Sequence, residues 1–198
     1  MGFLARKLQE LKEYSDLADI GEIARRYFAM NAFDGVLTII GVLMGNYAAH
    51  VHDAKVVIVT GFSTCMAMGI SGLWGAYLTE SAERKRDLND LENHTLTDLS
   101  RTKIGRASRV AVVVVALVDG LAPFLAALAV LLPFFFSGLL ADVTISYYVS
   151  LGMALVVLFA LGAFLGKVSR RSLIISGVKM VGAGLVSILL SYLLGVGK

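Results

Sequence analysis

Five stretches of this chain are each long and apolar enough to cross a lipid bilayer, which takes about 20 mostly apolar residues in a helix. They cover residues 27–49, 56–79, 110–136, 145–166 and 173–196. All five are rich in Gly and Ala, which suits close helix packing in lipid. Of the 198 residues, 57% are hydrophobic and 17% charged, whereas a soluble domain carries about 25% charged residues. That balance excludes a soluble enzyme and a disordered chain. One cysteine rules out an internal disulfide framework and a Cys-based zinc site. The expectation is an all-α, polytopic, multi-pass membrane protein, with residues 1–198 forming a single transmembrane domain.

Lys and Arg placement sets the orientation. Arg6, Lys7, Lys12, Arg25 and Arg26 precede the first span. Arg84, Lys85, Arg86, Arg101, Lys103, Arg106 and Arg109 lie between the second and third, and Lys167, Arg170 and Arg171 between the fourth and fifth. Fifteen of the 18 basic residues therefore fall on one side. The N-terminus is expected in the cytoplasm and the C-terminus outside or in a lumen. The net charge of +3 is then mostly a topology signal, and no nucleic-acid partner is expected. No cleavable signal peptide is visible. Instead Leu4, Leu8 and Leu11 follow helical spacing among charges, so residues 1–25 read as an amphipathic helix on the cytoplasmic lipid surface, or one packed on the cytoplasmic loop.

Ionisable residues inside a span are costly and usually face a bundle interior or a cavity. Asp34, Asp119 and Lys179 are of this kind. They lie eight to ten residues past Arg26, Arg109 and Arg171. At about 1.5 Å per residue this puts all three in one layer, roughly 12–15 Å beyond the basic anchors. One carboxylate can pair with Lys179, leaving the other for a cation or a proton; an ion-pair cluster that only fixes packing is the alternative. Each acid precedes a glycine, Gly35 or Gly120, which permits close approach of a backbone or an ion. Pro123 can release a backbone carbonyl in the third span as a further oxygen ligand. Cys65, Met66 and Met68 of the second span suit soft transition metals, but are also ordinary core residues.

Residues 80–109 form a polar cytoplasmic segment. Glu80, Glu83, Asp87, Asp90, His94 and Asp98 are spaced by three or four, along one face of a helix. Such a face could collect Fe²⁺, Mn²⁺ or Zn²⁺, or be a solvated face balanced by Arg84, Lys85 and Arg86. On the opposite side, His50, His52 and Asp53 sit in one short loop, where a structural reading is favoured over a metal exit site.

These residues bring the chain close to a known family. The run from Glu22 to Gly35, containing Asn31-Ala32-Phe33-Asp34-Gly35, resembles the opening Asn-x-x-Asp-Gly helix of the vacuolar iron transporters. The second span from Gly61 to Tyr77 is similar to that family's Ser-Met-x-x-Gly-Glu-Tyr segment. Gly162, Gly166, Arg170-Arg171-Ser172, Gly177, Lys179, Gly182 and Gly184 resemble its last two spans. The resemblance implies five transmembrane helices, a homodimer with the pathway at its axis, and export of Fe²⁺ from the cytosol in exchange for protons. It implies Asp34 as the pathway aspartate, and Glu80, Glu83, Asp87, Asp90 and His94 in the region that gathers metal. The family's methionine and glutamate of the second span fall here at Gly72 and Ala76, which cannot ligate a metal. Glu80, one turn beyond Ala76, and Asp119 are the residues that could compensate.

The expectation is therefore a transporter of Fe²⁺ or Mn²⁺, with Zn²⁺ a further candidate and with protons and membrane lipid as the other partners. Asp34, Asp119, Lys179, Asn31 and Met68 are its expected pathway residues. A prokaryotic cell membrane is the favoured setting, with an organelle membrane also open. The rival readings are a non-transporting metal-binding scaffold or sensor, and an exporter of small organic cations. No Ser-His or Cys-His arrangement suggests a nucleophile, so an enzyme is not expected.

Overall fold

A computed structural model describes residues 13–15, 17–139 and 142–196. Leu4, Leu8 and Leu11, on which the amphipathic N-terminal reading rests, lie outside the described residues. Five long helices account for nearly all the rest: α1 (Ile20–Ala48), α2 (Ala54–Thr95), α3 (Lys103–Phe135), α4 (Val143–Val168) and α5 (Leu173–Val196), with a single 3₁₀ turn at Ser137–Leu139. There is no strand among the described residues. Each helix contains a window apolar enough to span a membrane. The protein is a multi-pass membrane protein.

The helix ends have local causes. Asp53 caps α2, its Oδ1 accepting from the Lys55 N–H at 2.8 Å. At the start of α4, Asp142 Oδ1 accepts from the Thr144 N–H at 3.2 Å. Three helices end on a residue with φ near +50°, namely His50, Leu96 and Arg170, and among the described residues no glycine has positive φ. At Arg170 the N–H groups of Arg170 and Arg171 return to the carbonyls of Lys167 and Gly166. This is the paired closure that usually selects glycine. The loop histidine and aspartate thus have structural duties: His50 takes the left-handed turn and Asp53 the cap.

The second span and the acidic stripe differ from the expected separate pieces. They form one continuous 42-residue helix, about 63 Å long at 1.5 Å per residue. That is about twice the thickness of a hydrocarbon core, so the polar end of α2 stands clear of the lipid. The stripe ends at Thr95, and residues 103–109 belong to α3. In the turn between them, Glu92 Oε1 accepts from the Leu99 N–H at 2.7 Å and Asp98 Oδ1 from the Ser100 N–H at 2.8 Å. Asp98 therefore caps a turn.

The chain divides into two compact units. The first comprises Met1–Phe28 and Ile70–Leu121, the second Ala29–Gly69 and Ala122–Lys198. In the second unit, Val36, Ile39, Ile40 and Leu43 of α1 meet Val57 and Cys65 of α2, Leu131 and Phe134 of α3, and Leu158 of α4 in one buried cluster. The backbones of α1 and α3 touch there: a Cβ on Gly35 would lie 2.5 Å from the Pro123 carbonyl oxygen. No side chain fits in that space, so Asp34 is followed by glycine for packing. In the first unit the packing surface is built from small residues, Ala76 on α2 and Ala107, Ala111 and Ala116 on α3.

Candidate functional site

The first unit holds the buried carboxylates. Glu80 is 7% exposed and Asp119 8%, and they are the two buried acids among the described residues. Burying a carboxylate is costly unless it is paired, and Glu80 is paired twice. Arg84, one turn further along α2, places Nε 3.3 Å from Oε2. Tyr27 of α1 donates its hydroxyl to Oε1 over a long 3.5 Å. Arg84 is itself tied down, donating through Nη2 to the Ala18 carbonyl at 3.2 Å. Tyr27 stands within electrostatic range of Glu80, Asp119, Glu83 and Arg26.

Glu80 forms part of the wall of a cleft of about 340 Å³, with Asp19, Arg26, Tyr27, Glu83, Arg84 and Asp87 among its lining residues. The acids outnumber the cations here, four to two. The i, i+3, i+7 spacing of Glu80, Glu83 and Asp87 puts all three on the cleft side of α2. A hydrated cation is the natural guest for such a wall. Asp90 and His94 continue along α2 but are exposed and do not line the cleft. Asp90 faces Arg86 at 4.0 Å instead. Among the described residues no three His, Cys, Asp or Glu side chains converge on one point as a ready metal site.

Gly72 lies in the same unit and its smallness has a cause. A Cβ there would sit 2.8 Å from the Asp119 carbonyl oxygen and 3.2 Å from the Gly120 Cα. Pro123, having no N–H, cannot serve that carbonyl from the next turn, and the Gly72 backbone comes up against it. Position 72 therefore sets the distance between α2 and α3 beside a buried acid, and a methionine does not fit. Ala76, the other departure, is buried on the same helix.

The remaining expected pathway residues belong to the second unit. Asp34 is exposed on α1 in the middle of an apolar helix, and Asn31 is half-buried one turn earlier. Gly41 and Gly45 follow at seven and eleven residues past Asp34, so they share its face. Both are exposed, and a Cβ on either would meet nothing within 4 Å. Met68 packs against the buried cluster, and Cys65 is fully buried in it. Lys179 makes no ion pair with Asp34 among the described residues; it lines a separate cavity between α4 and α5. Three features escaped the sequence reading: the Tyr27 contact, the Arg84 clamp and the glycine face of α1. The Gly41-x-x-x-Gly45 spacing was the available signal for the last.

Five membrane helices with an acidic cleft and buried carboxylates define an integral membrane protein equipped to handle cations. Its sequence matches the VIT family model over residues 26–98 and 93–196, and the chain belongs to the VIT family. Membership places it among membrane transporters of metal ions. It is also similar to an uncharacterised protein of Methanocaldococcus jannaschii, 32% identical over 177 residues that cover 88% of this chain and 90% of that one.

Proposed function

We propose that this protein exports a divalent transition-metal ion, Fe²⁺ or Mn²⁺, from the cytosol in exchange for protons, as a homodimer. The observation that carries the reading is the burial of Glu80 and Asp119 within one unit, with Glu80 held by Arg84 and Tyr27 in the wall of an acidic cleft. In the empty state the Arg84 guanidinium neutralises Glu80. A divalent cation drawn in by Glu83 and Asp87 competes with that guanidinium for the carboxylate, and oxygen ligands of this kind suit Mn²⁺ and Fe²⁺. Arg84 keeps the Ala18 carbonyl as its other acceptor when displaced. Glu80 and Asp119 take over the ligand duty that Gly72 and Ala76 cannot perform.

Asp34 supplies the intramembrane carboxylate. An acid exposed on an apolar helix is costly unless a partner or water covers it. The bare face of Asp34, Gly41 and Gly45 suits a second α1 at close range. Two carboxylates facing each other across a dimer axis share either a metal or a proton, because like charges raise one pKa. That exclusivity couples the two fluxes.

Reconstitution tests this directly. Proteoliposomes carrying an internal pH dye should take up Fe²⁺ or Mn²⁺ with opposite proton movement. Asp34→Asn and Glu80→Gln should each abolish flux in protein that still elutes as a folded dimer. Normal flux in either variant would remove that residue from the mechanism. A second reading, a metal-binding scaffold, is favoured by Gly72 and Ala76, which leave the second span without a metal ligand at those positions. It requires binding without flux in the parent protein.

A further inference from the structure

From Val143 to Lys198 the chain contains no Asp or Glu, yet five Lys and Arg. The hairpin of α4 and α5 is thus a cationic structure with no acid of its own. Its backbones touch: a Cβ on Gly162 would come within 2.5 Å of the Ser176 carbonyl oxygen. Where the helices part beside this contact there is a cavity of about 670 Å³. Arg171 and Lys179 line it together with Ser169, Ser172 and Ser176, and no carboxylate does. No described acid forms an ion pair with either cation.

Lys179 is the unusual member. It lies six residues into α5, about 9 Å from the helix start, and a lysine at that depth in an apolar helix is retained only with a partner. Long helical side chains point back toward the helix N-terminus, which brings the ammonium toward Arg171 and the serines. Two cations and the hydroxyls of Ser172 and Ser176, without an acid, match the chemistry of an oxyanion, and a phosphate is the one a membrane surface supplies. Exposed apolar side chains lie beside the cavity: Ile174 is 68% exposed, Ile175 59% and Val178 58%.

We propose that the α4–α5 cavity binds a phosphate group, supplied by the headgroup of an anionic phospholipid whose acyl chains lie along Ile175 and Val178. Arg171 and Lys179 hold the phosphate oxygens, and the Ser172 and Ser176 hydroxyls donate to them, the Ser169 hydroxyl being given to the Leu165 carbonyl at 2.8 Å. A zwitterionic choline headgroup fits poorly, because the cavity offers its cation no carboxylate. This site is independent of the metal reading, and Lys179 belongs to it.

The test is native mass spectrometry of the full chain in detergent, titrated with phosphatidylglycerol, phosphatidylcholine or inorganic phosphate. Phosphatidylglycerol should be retained about tenfold more tightly than phosphatidylcholine, the scale of one charge-assisted hydrogen bond. Lys179→Gln and Arg171→Gln should each remove most of that preference, while Lys55→Gln, in the first turn of α2, should not. Lys179→Met, which suits an apolar helix better than lysine, guards against a folding artefact. Failure of millimolar inorganic phosphate to displace the lipid identifies the headgroup as the source. Displacement identifies a soluble phosphate compound on the same residues. Equal retention of both lipids, or a preference indifferent to the Lys179 and Arg171 variants, overturns the proposal.

Discussion

Replacing Gly72 by alanine should damage the protein, whereas the same change at Gly75, less than one turn away, should not. The added methyl at position 72 would stand 2.8 Å from the Asp119 carbonyl oxygen and 3.1 Å from its carbon. Both are backbone atoms of a packed helix and cannot rotate away. Restoring ordinary contact means parting α2 and α3 by roughly 0.5 Å, and overpacking of this kind costs about 1–3 kcal/mol. For a chain of this size that is a fall in Tm of roughly 2–12 °C. At Gly75 a Cβ meets nothing within 4 Å, so Gly75→Ala gains helix propensity, up to about 1 kcal/mol. Thermal unfolding of the two variants in one detergent measures the contrast. Gly72→Met should lower Tm further and slow metal flux, although it puts back a thioether where the family has one, because it displaces Asp119. If Gly72→Ala melts at or above Gly75→Ala, the account of why this position is glycine is wrong.

Other consequences are simpler to check. If two chains pair through α1 as proposed, Gly41→Ile should make the protein elute as a monomer on size exclusion, since a branched side chain on the Asp34 face blocks close approach of two α1 helices. Arg170 holds φ +53°, a conformation that strains an L-residue by about 1–2 kcal/mol; Arg170→Gly should therefore raise Tm, and an unchanged or lower Tm would count against the tight closure of α4. The Thr144 backbone N–H holds the Asp142 carboxyl below its ordinary range. A depressed carboxyl contributes stability that is present above its unfolded pKa and lost as pH falls through its folded one. Asp142→Ala should accordingly melt earlier than the parent at neutral pH, and the two curves should converge below about pH 4, the ordinary aspartate value. A gap that persists in acid would mean the carboxylate is not the cap.

The sequence alone determined what depends on neighbours along the chain. Hydropathy and length fix the five spans, because a backbone in lipid must satisfy its own hydrogen bonds and a helix does so locally. The three- and four-residue spacing of Glu80, Glu83 and Asp87 already puts them on one helical face, and α2 carries them there. The glycines after Asp34 and Asp119 were legible as points of close approach, whereas the contact that Gly72 makes was not. Which acids are buried was not, since burial depends on residues far apart in sequence. Tyr27 reaches Glu80 across 53 positions and Arg84 reaches Ala18 across 66. Depth arithmetic put Asp34, Asp119 and Lys179 at one level, but level says nothing about the direction in which a side chain leaves its helix. The tertiary structure buries Asp119, leaves Asp34 bare and turns Lys179 into a cavity with Arg171. Helix rotation about its own axis is set by packing against other helices, and that is why only the folded chain could decide it.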